Sequence, residues 1–427
     1  MFKSVSVFLL LLLSPSFLVA QPSYDDLIKV LKDHDQVKGA VCIRKGDSIL
    51  YQNYFDTKSS NQVYRYRIGS ISKTFTSTLV FMAVEEGKLS LDDSLNQWYP
   101  FSSFKGIQIK HLLEHRSGLH NFTNDPNYSQ IMEKAQTEAD MLKRFAQMER
   151  DFKADEKQEY SNTNFVLLSY ILEKVYQQAY SQILATKIVG PLKLENTYYP
   201  EENPRDSLEL SSFTYLGSWT KASNTHPSIP LGAGGIVSNP ADLCIFFQAL
   251  LEGKLVSKAS LKEMKVESGL GKGLMTFPFY EKRAYGHNGG IDGFMAHASY
   301  FPAEKMSISV CLNGSQYPLN DLLIDLLSIS FDKEGYQLPE FKSIQLGEAE
   351  LNQYVGNYKS ANFPLDIKVF VEGEQLKAQA TNQAAFPLNA VGKHQFEFKA
   401  AGIKMTFDPE ANTMAFEQYN LKVPFKR

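Results

Sequence analysis

Hydrophobic positions in the first half of the chain recur mainly at helical spacing. Four apolar residues on one face predict an amphipathic helix over 23–33, and a similar spacing predicts a more apolar helix over 75–86. Helical patterns dominate from Ser70 to about Leu192, and a further helix is predicted over 319–331. This part of the chain therefore supplies most of the predicted helices.

Strand-like patterns lie on both sides of this helical part. A turn is predicted near Gly289-Gly290, between two of the later strands. Strands on both sides of a helical region predict an α+β fold, an α/β sandwich whose sheet takes strands from both ends of the domain. The predicted strands cover 39–44, 48–55, 63–68, 283–287, 294–301 and 306–312.

From Tyr336 onward, the helical pattern gives way to short alternating strands. Residues 336–347 read as a linker, and turn residues separate the strands that follow. Five such strands predict a small all-β domain over 348–427, a barrel. The main domain is placed at 21–335. The five strands are predicted over 364–371, 375–380, 395–399, 403–407 and 414–419.

Residues 1–20 have the composition of a secretory signal peptide. Lys3 precedes an apolar run over 7–13, and Leu18-Val19-Ala20 forms a cleavage site before Gln21. The run is shorter than the roughly 20 residues that a spanning helix needs, although an uncleaved anchor is the alternative. We therefore expect an exported protein, periplasmic or secreted, with no stable membrane span after cleavage.

Composition and net charge limit the classes of molecule that the protein is expected to bind. The 427 residues are 43% hydrophobic and carry a net charge of −3, which argues against a nucleic-acid partner. The three cysteines, Cys42, Cys244 and Cys311, show no C-x-x-C spacing, so their disulfide state stays open. Nothing in the composition indicates an oligomeric state.

Ser70 and Lys73 are the first candidates for chemistry. They stand three residues apart at the start of a predicted helix, so both side chains lie on the same face. Free N–H groups also gather at a helix start. A serine nucleophile needs an amine to accept its proton and N–H donors for the oxyanion. The spacing alone is common, so its meaning depends on the rest of the chain.

Tyr160-Ser161-Asn162 begins a second apolar helix. A tyrosine hydroxyl beside a lysine can have a lowered pKa and share a proton relay. The Asn162 amide can bond Lys73 or a substrate carbonyl. The alternative is that Ser161-Asn162-Thr163 only caps the helix.

The segment 285–293, with the sequence YGHNGGIDG, reads as a strand edge opened by glycines. A free N–H there can complete an oxyanion hole with the Ser70 N–H. His287 can hold a substrate carboxylate or polarise the serine. The alternative is a glycine-rich turn with an exposed histidine.

The order S-x-x-K, Y-x-N, H-x-G resembles the penicillin-recognising serine hydrolases, closest to the class C β-lactamases and D-alanyl-D-alanine carboxypeptidases of one branch. The resemblance runs from about Lys38 to Phe331. It implies a β-lactamase/transpeptidase-like domain, an antiparallel sheet flanked by helices. The segment from Glu348 resembles the small lipocalin-like β domains of some members. The matching blocks are RIGSISKTFTS, IQIKHLLEHRSGL, YSNTNF, GPLKLENTYY, GAGGIVSNPADL and GHNGGIDGF.

The resemblance also implies a role for each polar residue. Ser70 is the nucleophile that becomes acylated, and Lys73 is the amine that helps to deprotonate it. Tyr160 is the general base and acid partner, and Asn162 orients the substrate. The backbone N–H groups of Ser70 and Gly290 form the oxyanion hole. No metal or organic cofactor is implied.

His287 occupies the position of a lysine in many relatives, which favours peptidases and esterases over true β-lactamases. The expected function is therefore an exported serine hydrolase that acts on a small peptide or ester through an acyl-enzyme. A D-amino-acid-containing peptide is the first choice, a carboxylic ester the second and a β-lactam the third. The charged segment 152–159 departs from the family, which usually has a Pro-Gly pair there.

Two other classes of function compete with this interpretation. His111, Glu114 and His115 fit H-x-x-E-H, a zinc pattern that needs both histidines on one helix face. The resemblance makes the first histidine structural instead. A non-catalytic binding module of the same fold is the other alternative, although the polar side chains of the constellation are all present.

Overall fold

The computed structural model describes residues 21–55, 62–200, 207–267, 269–341 and 344–427, so the predicted signal peptide lies outside the described residues. Its helices are α1 Tyr24–Asp33, α2 Ser72–Glu85, α3 Ile109–Leu113, α4 Tyr128–Ile131, α5 Glu138–Gln147, α6 Asn162–Tyr176, α7 Tyr180–Leu184, α8 Gly190–Leu192, α9 Leu231–Gly234, α10 Pro240–Leu251, α11 Lys258–Met264, α12 Leu319–Ser330 and α13 Glu348–Asn352.

The strands of the main domain are β1 Val37–Lys45, β2 Ser48–Phe55, β3 Tyr66–Arg67, β4 Phe213–Tyr215, β5 Trp219–Lys221, β6 Val237–Ser238, β7 Met275–Phe279, β8 Lys282–Ile291, β9 Phe294–Phe301 and β10 Met306–Ser315. Those of the C-terminal part are β11 Gly356–Tyr358, β12 Ile367–Glu372, β13 Gln375–Ala380, β14 Phe386–Gly392, β15 Gln395–Phe398, β16 Ile403–Asp408, β17 Thr413–Gln418 and β18 Leu421–Lys426.

A six-stranded antiparallel sheet in the order β2-β1-β10-β9-β8-β7 forms the centre of the main domain. Strand β1 shows why both faces are covered, because Ala40 packs into one hydrophobic core and Val41 into the other. Helices α1 and α12 cover the Val41 face, and α2, α6 and α10 lie on the Ala40 side. This arrangement confirms the predicted α/β sandwich with strands from both ends of the domain.

Helices α2 and α6 pack against each other inside the larger core. Both are buried on almost every side over their first three turns, so even polar residues such as Lys73, Thr76 and Asn164 lie in the interior. Buried polar side chains need hydrogen-bond partners, and a cluster of them at one helix start is the usual sign of a functional site.

The C-terminal part is an eight-stranded antiparallel sheet in chain order, from β11 to β18. Lys359 and Lys426 exchange backbone hydrogen bonds of 2.8 and 2.9 Å, which bring the last strand back beside the first. The result is a nearly closed barrel, which confirms the predicted all-β barrel. The sequence patterns missed β11, β14 and β18, and the last two contain Pro387 and Pro424.

Two strand boundaries in the main domain differ from those predicted. The strand predicted over 63–68 is reduced to Tyr66–Arg67, because its partner is the two-residue strand β6, outside the six-stranded sheet. The turn predicted near Gly289-Gly290 lies slightly later in the chain. Strand β8 runs through both glycines, paired with Ala296 and Met295, and the chain turns only at Asp292-Gly293.

The three cysteines are free and buried, so no disulfide forms in the described structure. Among the described residues, no helix has the length and apolar character that crossing a membrane requires.

Candidate active site

Glycines bring the Ser70 segment against strand β8. A 3₁₀ turn over Gly69–Ile71 carries Ser70 and leads directly into α2. Gly69 has a φ of +52°, and a Cβ there would lie 2.6 Å from the backbone nitrogen of Gly290. A Cβ on Gly289 would lie 1.9 Å from the carbonyl oxygen of Ile68. Only glycine permits this backbone approach, which places Ser70 and Gly290 on the wall of one cleft.

Lys73 lies beneath Ser70 in the first turn of α2. Its Nζ is 3.1 Å from Ser70 Oγ, 2.8 Å from Asn162 Oδ1 and 2.6 Å from the carbonyl oxygen of Ala233. Burial holds the pKa of Lys73 well below its usual range. A neutral amine has two N–H donors and one lone pair. The two carbonyl-type oxygens take the donors, which leaves the lone pair for the Ser70 hydroxyl.

Tyr160 contacts the same serine from the other side. Its hydroxyl donates to Ser70 Oγ over 2.7 Å, and its ring lies 4.8 Å from Lys73 Nζ. The expectation that Lys73 lowers the pKa of Tyr160 is wrong, because burial dominates and raises that pKa. At neutral pH, Tyr160 is therefore a proton donor toward Ser70, and Lys73 is the group suited to accept the serine proton.

Asn162 begins α6 and is held by residues that the sequence patterns did not indicate. Its Nδ2 lies 3.2 Å from both Asn121 Oδ1 and Thr123 Oγ1, which directs Oδ1 toward Lys73. Ser161 is the residue before the helix but makes no side-chain capping bond. The capping alternative therefore does not account for this motif.

His287 is buried within strand β8, so the alternative of a glycine-rich turn with an exposed histidine is wrong. Its Nδ1 lies 2.5 Å from the carbonyl oxygen of Asn288, and a carbonyl only accepts, so Nδ1 carries the hydrogen. Burial lowers the pKa of His287 to about 4. A neutral imidazole gives no ionic attraction to a carboxylate, so the predicted carboxylate-holding role lacks its electrostatic basis.

The zinc pattern does not form a zinc site. Helix α3 ends at Leu113, and His115 has a φ of +56°, so the two histidines do not share a helix face. Glu114 instead pairs with Lys272 over 2.8 Å. In the described parts of the chain, no three His, Cys, Asp or Glu residues are grouped as metal ligands would be.

His115 has a different position that the sequence patterns missed. Its ring stacks on Tyr160 with the ring centroids 4.5 Å apart, and its Nδ1 accepts a hydrogen bond from the Ser161 amide. Burial holds the pKa of His115 well below its usual range. A neutral His115 therefore packs behind Tyr160 and fixes the orientation of its ring.

The charged segment 152–159 is anchored in spite of its departure from the usual sequence. The amides of Asp155 and Glu159 donate to the carbonyl oxygens of Arg116 and His115, each over 2.8 Å. Gly118 lets the backbone of the segment approach closely, since a Cβ there would lie 1.9 Å from a carbonyl oxygen. These contacts fix the backbone just before Tyr160 and so hold Tyr160 in place in the site.

Ser70, Asn162 and Gly290 open into a cleft of about 360 Å³. Its other walls are mostly apolar, and the charged side chain among its described lining residues is Asp292. That carboxylate is paired with buried Arg67 over 2.8 Å. The remaining lining residues are Phe122, Thr123, Tyr128, Met132, Thr225, Pro230, Ala233, Gly234 and Ile291.

A family model described as "Beta-lactamase" matches residues 24–327, which is more than half of the chain. The chain belongs to the Beta-lactamase family. Its sequence is similar to "Penicillin-binding protein 4*" of Bacillus subtilis, with 24% identity over 421 residues that cover 89% of this chain and 92% of that protein. This membership confirms the resemblance inferred from the sequence blocks.

Two further proteins are similar to this chain. "Teichoic acid D-alanine hydrolase" of Staphylococcus aureus is 26% identical over 305 residues, covering 68% of this chain and 74% of that protein. The structure of a D-stereospecific amidohydrolase from Streptomyces sp. has a TM-score of 0.62 and 28% identity, covering 69% of this chain and 95% of that one. Like these relatives, the chain is a serine hydrolase with the Beta-lactamase fold.

Proposed function

We propose that this family member is exported and hydrolyses an amide or ester bond of a D-amino-acid-containing substrate through an acyl-enzyme on Ser70. A small peptide ending in D-Ala-D-Ala is the first candidate substrate. The observation that carries the proposal is the pair of contacts on Ser70 Oγ, with Lys73 Nζ at 3.1 Å and the Tyr160 hydroxyl at 2.7 Å.

In the proposed reaction, Lys73 accepts the hydroxyl proton as Ser70 Oγ attacks the substrate carbonyl. The backbone N–H groups of Ser70 and Gly290 stabilise the oxyanion that forms. The Tyr160 phenol donates a proton to the departing nitrogen or oxygen. The Lys73 ammonium then returns its proton to the Tyr160 oxygen, so both groups regain their starting forms. Water then attacks the acyl-enzyme carbonyl, and the same groups return Ser70 to its starting state.

A second candidate is an amide or ester substrate that has no carboxylate beside the scissile bond. A carboxypeptidase has to bind the carboxylate of the leaving residue. Here His287 is neutral, and the charged residue among the described lining of the cleft is Asp292, itself paired with Arg67. Similarity to an amidohydrolase and a D-alanine hydrolase supports this candidate as well.

One panel of substrates separates these candidates. It contains a D-Ala-D-Ala peptide with a free carboxylate, the same peptide as a C-terminal amide, p-nitrophenyl acetate and nitrocefin, each also tested on Ser70→Ala. Faster turnover of the free peptide identifies a carboxypeptidase. Faster turnover of the amide or the ester identifies the second candidate, and dominant nitrocefin hydrolysis identifies a β-lactamase.

Intact-mass analysis with a fluorophosphonate probe tests the chemistry without a choice of substrate. We expect one adduct, located on Ser70 and absent from Ser70→Ala. A protein that shows neither an adduct nor turnover is a binding module, and the proposal is then wrong.

Export is tested separately by expressing the full chain in a bacterium and sequencing the N-terminus of the protein outside the cytoplasm. A mature chain that begins at Gln21 supports the predicted signal peptide. An uncleaved, membrane-bound chain supports the anchor alternative.

A further inference from the structure

A buried ion pair links the two backbone segments that form the oxyanion hole. Arg67 Nη1 lies 2.8 Å from Asp292 Oδ2, with 1% and 0% of the two side chains exposed. Arg67 precedes Ser70 by three residues, and Asp292 follows Gly290 by two. The pair therefore joins the segment that carries the nucleophile to the end of strand β8.

The same two side chains also hold a third segment of the cleft wall. The two N–H groups of Arg67 Nη1 are shared among Asp292, the carbonyl oxygen of Thr225 at 2.7 Å and Asn224 Oδ1 at 3.0 Å. Asp292 Oδ1 accepts from the Thr225 amide at 3.1 Å and from its hydroxyl at 2.6 Å. Thr225 and Asp292 both line the cleft, so the pair fixes the wall as well as the oxyanion hole.

This arrangement is a poor way to stabilise a fold. Two of the Arg67 nitrogens, Nε and Nη2, are buried with no hydrogen-bond partner among the described residues. Taking both charges out of water costs free energy that their attraction offsets only in part, and unpaired buried donors add to the cost. A pair of uncharged side chains would fill the same space without these costs.

The position of the pair gives it another role. Between its two ends, the Ile68-Gly69 backbone lies directly against Gly289-Gly290, where a Cβ on Gly69 would be 2.6 Å from the Gly290 nitrogen. Oxyanion stabilisation depends on where two N–H donors point, and small displacements of such groups are costly. An ion pair across this contact resists sliding of one backbone on the other.

We propose that Arg67 and Asp292 are positioning residues, which hold the N–H groups of Ser70 and Gly290 in register for the transition-state oxyanion. The inference rests on the proposed acyl-enzyme chemistry. It does not depend on which D-amino-acid derivative is the substrate.

The test replaces the pair with uncharged side chains of similar size, Arg67→Met together with Asp292→Asn. Asparagine tolerates the left-handed backbone conformation of position 292. The readouts are kcat and KM for p-nitrophenyl acetate, the inhibition constant of phenylboronic acid and the thermal unfolding midpoint. A boronate bound to the serine places an oxygen in the oxyanion hole, so its affinity reports on the hole itself.

We expect kcat to fall by roughly 10²-fold, as for the loss of an oxyanion donor, and boronate affinity to fall in parallel. KM and the unfolding midpoint should change little. Arg67→Lys keeps the charge without the planar guanidinium, so it should give an intermediate kcat. This single variant replaces the double variant in the test if the double variant does not fold. The control is Lys282→Met with Glu304→Gln, an ion pair at the far end of β8 that should leave kcat unchanged.

A folded variant of the pair with wild-type kcat and boronate affinity would overturn the inference, as would a loss of kcat that only follows a loss of stability. Failure of the proposed function looks different. In that case the wild-type protein binds the boronate but turns over no amide or ester. The change in boronate affinity between the wild type and the double variant still shows whether Arg67 and Asp292 position the two N–H groups.

Discussion

Lys73 Nζ lies 3.1 Å from Ser70 Oγ, and its side chain is inaccessible to solvent. Burial lowers the pKa of this amine, which favours its acceptance of the serine proton, and the same burial costs the fold stability. Lys73 is therefore both the proton acceptor for the serine and a residue whose burial destabilises the fold.

The first prediction follows from that relationship. Lys73→Met should lower kcat by about 10²- to 10⁴-fold, the usual contribution of a general base. It should also raise the thermal unfolding midpoint at neutral pH. The pKa of Lys73 is lower in the folded chain than in the unfolded chain, so the unfolded chain gains the proton and the folded state loses stability.

The stability gain of Lys73→Met should shrink as the pH rises toward the ordinary lysine pKa of about 10.4, where the unfolded chain also becomes neutral. Scanning calorimetry at pH 7 and pH 10 measures this. Turnover close to the wild-type value would refute the role of Lys73, and an unchanged midpoint at pH 7 would refute the burial argument.

Tyr160→Phe tests the hydroxyl alone, because the phenylalanine ring can keep the stacking on His115 and the contact with Lys73. We expect kcat to fall about 10²-fold with an unchanged unfolding midpoint. Since burial raises the pKa of Tyr160, the wild-type profile of kcat/KM should show no tyrosine ionisation between pH 7 and 10. A tyrosine inflection near pH 8 would show that Tyr160 acts as a tyrosinate base instead.

His287→Gln should make the protein less sensitive to acid. The pKa of His287 is lowered to about 4 in the folded chain, so below its ordinary value of about 6.5 the unfolded chain takes up the proton first. Stability is then lost as the pH falls from about 6.5 toward 4. Denaturant midpoints at pH 7.5 and pH 5 should differ less in the variant than in the wild type, and an equal difference would contradict the buried neutral form.

Gly289→Ala should damage both activity and stability, because its Cβ would meet the Ile68 carbonyl oxygen at 1.9 Å. Overlaps of this kind in a packed interior usually cost about 1–3 kcal/mol. Gly290→Ala is the matched variant for stability. Its Cβ would lie 3.9 Å from the carbonyl oxygen of Phe294, an ordinary contact, so its unfolding midpoint should stay near the wild-type value. Equal midpoints in the two variants would show that the close backbone contact does not exist.

Strand β8 shows which structural features the sequence patterns predict and which they do not. The pattern predicted a strand edge opened by glycines over 285–293, with a turn near Gly289-Gly290, because glycine pairs usually mark turns. In the structure these glycines continue the strand, since the space for a side chain at Gly289 is taken by the Ile68 backbone. A neighbour more than 200 positions away in the sequence thus decided the local conformation.

Local spacing by itself determined that Ser70 and Lys73 share the start of one helix, that the main domain is an α/β sandwich and that a barrel follows. These features depend on residues close together in the chain, whose periodicity is visible in the sequence. The tertiary structure alone decided that His287 is neutral, that His115 supports Tyr160 and that Arg67 pairs with Asp292. Those properties arise from burial and from contacts between distant segments, as in the Arg67–Asp292 pair, which spans 225 positions. The local periodicity of the sequence contains no information about such contacts.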